Sequence, residues 1–141
     1  MKDNDDWTPV DDQTFLSTIG EVVQRSRDGL MEVGLRTDPR HKNRSNIVHG
    51  GVYMTLIDRA LGLSCRSLGG GRRMATASLT VNFVRPAKIG DFLHITCTIS
   101  KNGRKAAFGE AVLKVDGVVC CTATGVFMTV DGPAPARDVT S

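Results

Sequence analysis

The sequence predicts an α+β fold in which one long helix is covered by an antiparallel sheet. The stretch from Asn43 to Leu68 contains the longest helical pattern in the chain and is rich in apolar residues. Long runs with the period of a β-strand follow it, and Asn102-Gly103 and Asp116-Gly117 are strong hairpin sequences between them. Long antiparallel strands with one apolar face need a partner, and this helix is the only predicted element large enough to cover them.

Length and composition indicate one globular domain. The chain has 141 residues, of which 40% are apolar and 23% charged, so we expect a single domain over residues 11–141, a flexible arm over residues 1–10 and a loose C-terminal end. The acidic N-terminus and the lack of a long apolar run predict neither a signal peptide nor a membrane span, which indicates a cytoplasmic protein. The four cysteines show no metal-ligand spacing and are expected to be small buried side chains.

Two elements are predicted before the long helix. A first helix can begin at Asp11 or Asp12 and end at Gly29, where it would lie over the core. Loose alternation then predicts a strand over Leu30 to Arg36, followed by a polar loop. The apolar residues that recur at helical spacing in the first helix are Phe15, Ile19, Val22 and Val23.

The central helix is predicted to begin at Val52 and to be largely enclosed by the sheet. Its apolar positions spread over about half of its circumference and leave a narrow polar stripe. The triple glycine Gly69 to Gly71 ends it, and we expect a flexible turn there because a phosphate-binding loop precedes its helix. The expected apolar positions are Val52, Tyr53, Leu56, Ile57, Ala60, Leu61, Leu63 and Leu68; the stripe contains Thr55, Arg59, Gly62 and Arg66.

The second half of the chain is predicted to form an antiparallel meander. Apolar and polar residues alternate from Met74 to Val84 and again from Leu93 to Ser100, which is typical of half-buried strands. The two hairpin sequences separate this second run from strands over Ala106 to Val115 and Val118 to Val130.

Two glycines and one aspartate of the helix are candidates for chemistry. Gly50 and Gly51 leave backbone N–H groups uncovered at the positive end of the helix dipole, where an oxyanion could be stabilised; a tight turn into the helix would need the same glycines. Asp58 follows Gly51 by seven residues, which places it on nearly the same face but ~10.5 Å along the axis. If both groups serve one reaction, Asp58 must come from a second, antiparallel copy of the helix in a two-fold dimer. Otherwise Asp58 is an aspartate neutralised by Arg59 or by solvent.

The remaining polar residues exclude several kinds of site. His49 can bond to the loop backbone or face a substrate, but no Ser or Cys stands beside it as the nucleophile of a triad. His41 and His94 lack partners at ligand spacing, so no metal site is expected. Basic residues bunch in predicted loops and at strand ends, which suits a ligand with several phosphates better than a long nucleic-acid track, unless they are merely solvated loop tips. The bunches are Arg36 to Arg44, Arg72-Arg73, Arg85 to Lys88 and Lys101 to Lys105.

One combination of motifs resembles a known family. The pattern Asn43-x5-His49-Gly50-Gly51-x6-Asp58, followed by Thr76 and by the run from Arg85 to Asp91, is similar to the hotdog-fold acyl-CoA thioesterases of the phenylacetate-pathway (PaaI-like) type. The resemblance covers about residues 30–130. It implies a long helix wrapped by an antiparallel sheet, active sites across a homodimer that often pairs into a homotetramer, and hydrolysis of an acyl- or aryl-CoA thioester. It implies no cofactor, because coenzyme A is part of the substrate.

The resemblance also implies roles for individual residues. The Gly51 N–H would polarise the thioester carbonyl, with His49 and Asn43 shaping that side of the site. Asp58 from the partner protomer would be the base that activates water, or the nucleophile that forms an anhydride. Thr76, where family members often have Ser, would place the water or the carboxylate. The coenzyme A portion would be bound by Gly50, by Val84, Arg85, Pro86, Ala87 and Lys88, and by Lys101, Asn102, Gly103, Arg104, Lys105 and Ala106.

Two other functions remain open at the level of sequence. A non-catalytic acyl-CoA sensor or scaffold could keep the fold, although it would have no evident use for Asp58. A hotdog hydratase or dehydratase would need a catalytic histidine with an acid on another element, whereas Asp58 follows His49 by nine residues on the same helix. No nucleic-acid or membrane partner is expected, because no base-stacking surface or membrane-spanning run is evident.

Overall fold

The computed structural model describes residues 6–130, in which one long helix packs on one face of a seven-stranded antiparallel sheet. Short 3₁₀ turns lie at Phe15–Thr18 and Pro39–His41. The helix is α1 (Gly50–Leu68), and the strands are β1 (Thr8–Pro9), β2 (Val23–Arg27), β3 (Leu30–Arg36), β4 (Met74–Phe83), β5 (Phe92–Asn102), β6 (Ala106–Val115) and β7 (Val118–Thr129).

The strand order explains how the sheet wraps the helix. The order is β1-β2-β3-β5-β6-β7-β4, so β4 follows α1 in the chain but pairs with β7 at the far edge of the sheet. The helix contacts every strand from β3 to β7. The α+β prediction and the β5-β6-β7 meander are therefore confirmed, with Asp116-Gly117 forming a tight hairpin in which both residues have positive φ.

The central helix is confirmed, although it begins at Gly50, two residues before the predicted start. Of the predicted apolar positions, Leu63 is only half-buried and Leu68 is 47% exposed. Ser64 and Cys65 are buried instead, because they follow Ala60 and Leu61 by four residues and share their face. Burial of Ser64 is tolerated because its hydroxyl accepts from the Met31 N–H at 2.9 Å and donates to the Met31 carbonyl at 3.3 Å. The predicted positions that are buried are Val52, Tyr53, Leu56, Ile57, Ala60 and Leu61.

The predicted first helix is wrong. Only the Phe15–Thr18 turn is helical; the chain then passes through Gly20 at φ +132° and enters β2. Asp28 and Gly29 have φ of 55° and 82°, so they form the tight turn of a β2-β3 hairpin rather than the end of a helix. The segment with helical spacing of apolar residues is too short and too interrupted to form a stable helix by itself. The backbone pairing of β2 with β3 therefore decides its conformation.

The predicted flexible arm over residues 1–10 is described from residue 6 onwards, and this part pairs with the sheet. Thr8 and Pro9 pair with β2, the Val10 N–H donates to the Val22 carbonyl at 2.9 Å, and the Arg25 guanidinium lies 4.2 Å from the Trp7 ring centroid. These contacts fix the segment on the sheet. Residues 1–5 of the arm and the predicted loose end, residues 131–141, lie outside the described residues.

Strand β4 is confirmed in position but is less buried than predicted. Most of its side chains are exposed, because β4 lies at the sheet edge and the register shifts between Thr76 and Ser78 at a bulge. The turn at Gly69 to Gly71 is confirmed, with positive φ at Gly70 and Gly71. All four cysteines are free and buried as expected, and burial raises the pKa of the Cys97 thiol to about 12.

Candidate functional site

The start of α1 is capped by a histidine. His49 is the N-cap residue, and its Nδ1 accepts from the Gly51 N–H at 2.8 Å. The glycine pair predicted an uncovered N–H at Gly51, but in the structure this N–H is bound to His49. The imidazole occupies the position where an oxyanion would accept this hydrogen bond. Because Nδ1 is the acceptor, the ring in this arrangement carries its proton on Nε2.

Asn43 organises the loop before the helix. Its side-chain Oδ1 accepts from the Ser45 N–H at 2.8 Å and from the Ile47 N–H at 3.3 Å. The backbone N–H of Asn43 donates to the Ile47 carbonyl at 2.8 Å. A β-bridge then joins Ile47 to Lys88. The loop that precedes His49 is thus tied to the segment that follows β4.

A pocket of about 380 Å³ lies between this loop, the start of the helix and the end of β4. Tyr53 on the helix holds the segment after β4 against this pocket, because its buried hydroxyl oxygen accepts from the Ala87 N–H at 2.8 Å. Ala87 itself is 1% exposed, so its side chain packs in the core rather than facing the pocket. The lining residues are Asn43, Ile47, Val48, Gly50, Tyr53, Phe83, Val84, Arg85 and Pro86.

Asp58 lies in a second pocket with Thr76. The Thr76 hydroxyl donates to Asp58 Oδ1 at 2.6 Å, which brings together the two residues that the sequence placed on the helix and the next strand. This pocket has a volume of about 180 Å³. Its lining residues are Asp58, Arg59, Gly62, Leu63, Arg66, Met74, Thr76 and Phe127.

Arg59 joins this second pocket to the N-terminal segment. Its Nη1 lies 3.3 Å from Asp12 Oδ2, and its Nη2 donates to Gln24 Oε1 at 3.3 Å. Burial lowers the pKa of Arg59, and the nearby Asp12 carboxylate opposes that shift. The sequence analysis did not identify Arg59 or Arg66 as site residues. Arg66 follows Asp58 by eight residues and so lies on nearly the same face of the helix, which is a signal that could have identified it.

The two pockets share no lining residue. One includes Asn43, Gly50 and the Val84–Pro86 part of the predicted coenzyme A segment, whereas the other contains Asp58 and Thr76. Each pocket thus contains one half of the predicted site, and the two halves lie on separate parts of one protomer. This agrees with the axial distance of ~10.5 Å expected between Gly51 and Asp58.

The hairpin from Lys101 to Ala106 lies at the opposite end of the helix. Asn102 Nδ2 donates to the carbonyl of Cys65, near the helix C-terminus, at 3.0 Å, and Asn102 Oδ1 accepts from Arg72 Nη2 at 2.8 Å. Arg72 Nη1 also donates to the Arg104 carbonyl at 2.8 Å. The Asn102 side chain therefore has a structural role, while the side chains of the basic residues of the hairpin are exposed; these are Lys101, Arg104 and Lys105.

The two histidines considered for metal binding have other partners. His94 Nε2 lies 2.8 Å from Glu32 Oε1, and His41 Nδ1 accepts from the Asp38 N–H at 2.9 Å. Over residues 6–130, no group of three His, Cys, Asp or Glu side chains could hold a metal ion. In the same part of the chain, no helix has both the length and the apolar character needed to cross a membrane.

Sequence comparison relates the chain to known proteins. A family model described as the thioesterase superfamily matches residues 45–122. The putative esterase PA0474 of Pseudomonas aeruginosa is 34% identical over 96 residues, which cover 67% of this chain and 72% of that protein. The putative esterase F42H10.6 of Caenorhabditis elegans is 38% identical over 75 residues, 50% of this chain and 42% of that protein. Acyl-coenzyme A thioesterase 13 of Mus musculus is 28% identical over 79 residues, 56% of each chain.

Solved structures share the fold. The conserved protein PA5202 of Pseudomonas aeruginosa has a TM-score of 0.78 at 25% identity and covers 84% of this chain and 95% of its own. The E. coli PaaI protein from the phenylacetic acid degradation operon has a TM-score of 0.73 at 21% identity, over 79% of this chain and 80% of its own. A hypothetical thioesterase of Streptococcus pneumoniae, solved with coenzyme A, has a TM-score of 0.76 at 24% identity, over 84% of this chain and 93% of its own.

Proposed function

Because the chain belongs to the thioesterase superfamily, we propose that it hydrolyses an acyl- or aryl-CoA thioester to a free acid and coenzyme A. The observation that supports this most directly is the Asp58 carboxylate, which is held by the Thr76 hydroxyl at 2.6 Å in the wall of a pocket. A water molecule or a thioester carbon could reach a carboxylate in that position. The relative named acyl-coenzyme A thioesterase 13 supports coenzyme A as the thiol part of the substrate.

The active site is proposed to form across a homodimer. Within one protomer Gly50, the neighbour of Gly51, and Asp58 line separate pockets, so an antiparallel copy of α1 would bring Asp58 of one chain to Gly51 of the other. Exposed apolar side chains support such a partner: Phe83 at the end of β4 is 54% exposed, Val84 is 58% exposed, and Met54 on α1 is 42% exposed. Pairing of two dimers into a homotetramer and a cytoplasmic location stay predictions.

The oxyanion would form at the start of α1. We propose that the thioester carbonyl oxygen replaces His49 Nδ1 as the acceptor of the Gly51 N–H. The positive end of the helix dipole then stabilises the negative charge that develops on this oxygen. Asn43 keeps the preceding loop in place through its bonds to Ser45 and Ile47, and the released imidazole stays beside the substrate.

Asp58 has two chemically balanced routes. As a general base, it takes a proton from water while the water oxygen attacks the thioester carbon; the C–S bond breaks, and the coenzyme A thiolate recovers the proton from Asp58. As a nucleophile, a carboxylate oxygen forms the bond to the carbon while the C–S bond breaks and coenzyme A leaves as the thiolate. Water then hydrolyses the mixed anhydride to the acid and the Asp58 carboxylate, and the proton released from water goes to the thiolate. In both routes the Thr76 hydroxyl fixes the direction of the carboxylate.

Coenzyme A would use segments of both protomers. The Val84–Lys88 segment borders the pocket at the start of α1, whereas the Lys101–Ala106 hairpin packs at its end. Antiparallel helices would bring one protomer's segment near the other protomer's hairpin. The basic side chains of both segments suit the phosphates of coenzyme A.

Replacement of Asp58 by Asn tests the proposal. We expect the release of free thiol from a panel of acyl-CoAs to fall about 10²- to 10⁴-fold, the range for loss of a general base, while the circular dichroism spectrum and coenzyme A affinity stay unchanged. Asp116→Asn is the matched control, since Asp116 lies in a hairpin turn at φ 49°, a conformation that Asn adopts readily. Full activity of the Asp58 variant would refute the catalytic role. Tight binding of acyl-CoAs by the wild type without thiol release would favour the sensor function instead.

A further inference from the structure

The Val84–Lys88 segment leaves β4 and is held by bonds to three other parts of the fold. The N–H groups of its first two residues donate to the Cys120 carbonyl on β7, at 2.9 and 3.0 Å. The Ala87 carbonyl accepts from the Val48 N–H, in the loop before α1, at 3.0 Å. The Ala87 N–H donates to the Tyr53 hydroxyl oxygen on α1 at 2.8 Å. This last bond joins the segment directly to the helix.

The bond between Tyr53 and Ala87 is buried. Tyr53 is 3% exposed and Ala87 is 1% exposed, so water does not reach the Ala87 N–H as an alternative acceptor. A buried N–H that loses its acceptor destabilises the arrangement around it. Burial raises the pKa of Tyr53, so the hydroxyl keeps its proton near neutral pH. Both partners belong to one protomer, and the bond therefore forms without a second chain.

Tyr53 also packs beside the proposed oxyanion site. It follows Gly51 by two residues at the start of α1. Its ring centroid lies 5.7 Å from that of Phe83 at the end of β4, and a Cβ at Gly50 would lie 3.1 Å from the Phe83 ring. The start of the helix, the Tyr53 ring and the end of β4 thus form one closely packed unit. The Tyr53 hydroxyl joins this unit to the proposed coenzyme A segment.

The proposed reaction needs a fixed distance between these two parts of the site. The Gly51 N–H is to polarise the thioester carbonyl, while the Val84–Lys88 segment binds the coenzyme A portion. The pantetheine arm joins both parts of the substrate through a covalent chain of limited length. The position of the segment relative to Gly51 therefore decides whether the carbonyl reaches the N–H, and a misplacement of about 1 Å can lower a rate about 100-fold.

We infer that Tyr53 is a positioning residue whose hydroxyl, through the Ala87 N–H, holds the coenzyme A segment at the correct distance from the Gly51 N–H. This inference rests on the proposed thioesterase function. Binding of the distant nucleotide end then contributes to the placement of the reacting carbonyl. The contribution of Tyr53 should consequently appear only with substrates that carry this end.

Tyr53→Phe, which keeps the ring and removes the acceptor, tests the inference with two thioesters of one acid. One has coenzyme A as its thiol, and the other has N-acetylcysteamine, which lacks the nucleotide; the acid is the one whose coenzyme A thioester the wild type hydrolyses fastest. We expect the wild type to have the higher kcat/KM with the coenzyme A thioester. The variant should lower that kcat/KM about 10- to 100-fold and leave the value for the N-acetylcysteamine thioester unchanged.

Ser64→Ala is the matched control. Ser64 is also a buried residue of α1, and its hydroxyl accepts a backbone N–H, that of Met31, at 2.9 Å. This bond ties the helix to β3 and not to the coenzyme A segment. Both variants should lower the melting temperature, but Ser64→Ala should keep the wild-type ratio of kcat/KM between the two thioesters.

A milder change covers the case in which Tyr53→Phe does not fold. Tyr53 is the single tyrosine of the chain, so incorporation of 3-fluorotyrosine alters this position alone. Fluorine withdraws electron density from the ring and weakens the hydroxyl oxygen as an acceptor, while the side chain keeps nearly its size. We expect a smaller loss of kcat/KM than in the Phe variant, again confined to the coenzyme A thioester.

The failures of the two proposals are distinguishable. If the altered Tyr53 slows both thioesters by the same factor, or slows neither, the positioning role is overturned and the thioesterase function is kept. A wild type that hydrolyses both thioesters with equal kcat/KM has the same meaning. Release of thiol from no member of a panel of acyl-CoAs overturns the thioesterase function and the inference with it.

Discussion

Thr76 is an exposed side chain that nevertheless has a defined hydrogen-bond partner. It lies on the edge strand β4, and its hydroxyl donates to Asp58 Oδ1 at 2.6 Å. A hydrogen bond to a carboxylate holds the group in one orientation, and the second carboxylate oxygen remains for water or substrate. The sequence offers Thr where family members often have Ser, and the contact with Asp58 shows that the extra methyl group does not prevent the hydrogen bond.

Replacement of Thr76 by Val measures this contribution. Val has nearly the same shape but no donor, so we expect kcat for thioester hydrolysis to fall about 10- to 100-fold, because a hydrogen bond to a charged group is lost at the reacting carboxylate. Thr76→Ser keeps the hydroxyl and should retain most of the activity. Equal rates for the Val and Ser variants would show that the hydroxyl has no part in the reaction. Thermal unfolding of both variants checks that the exposed site tolerates the changes.

At the scale of the element, the N-terminal strands are held by a cluster of polar and aromatic side chains. Glu32 on β3 accepts from Arg25 Nε at 2.8 Å and lies 2.8 Å from His94 Nε2 on β5. The Trp7 ring packs over Arg25 and edge-on to His94. These contacts explain why the segment before β3 is sheet, although its apolar residues have helical spacing.

The cluster predicts a pH dependence of stability. Burial alone would raise the pKa of Glu32, but the hydrogen bonds from His94 and Arg25 outweigh it, and the pKa in the folded protein is lowered. A carboxyl group with a lowered folded-state pKa stabilises the fold above its unfolded-state pKa, about 4.3, and this stabilisation is lost as the pH falls through the lower folded-state value.

Glu32→Gln tests this dependence. We expect a lower free energy of unfolding at pH 7 and a weaker loss of stability between about pH 5 and the acid limit, because the variant has no carboxylate to protonate. Urea unfolding at a series of pH values measures both effects. Glu110→Gln, at an exposed position on β6, is the control and should follow the wild type. A parallel pH profile for Glu32→Gln and wild type would contradict the assigned role.

At the scale of the whole molecule, the decisive question is whether two chains build each site. The separate pockets around Gly50 and Asp58 require this if the start of the helix and Asp58 serve one reaction. The β4 edge, with exposed Phe83 near the first pocket, is the surface where a second copy could complete them. Each dimer would then contain two equivalent sites, with each helix contributing to both.

Complementation between two inactive variants tests the composite site. Asp58→Asn removes the carboxylate, and Gly51→Pro removes the N–H donor in the first helical turn. The His49 imidazole, whose Nδ1 would lie 3.1 Å from the new Cβ, must rotate away in the Pro variant. Mixed dimers contain one site in which both groups are intact. After subunit exchange we therefore expect about a quarter of wild-type activity, since half of the dimers are mixed and half of their sites are functional.

The controls separate assembly from catalysis. Each variant exchanged with itself should stay inactive, and native mass spectrometry confirms that mixed dimers form. Mixed dimers without recovered activity would place both groups in one chain. A stable and active monomer would refute the composite site altogether.

Much of the fold could be predicted because its determinants are local. The alternation in β5 to β7 and the two hairpin sequences fix those strands within a few neighbouring residues. The apolar face of α1 likewise follows from its own periodicity. The prediction failed before β3, where Gly20 at positive φ and the Asp28-Gly29 turn favour strands, because the competing helical spacing gains stability only through tertiary packing.

The sequence by itself determined the central helix, the meander, and the spacing of Gly51 and Asp58 that separates them along one chain. Only the tertiary structure decided that the Thr76 hydroxyl meets Asp58, that His49 covers the Gly51 N–H, and that Arg66 shares a pocket with the candidate base. The pocket contacts depend on where β4 pairs and on how the helix lies across the sheet. The histidine contact is local, between residues two apart, but it depends on the direction of the His49 side chain, which helical periodicity does not fix.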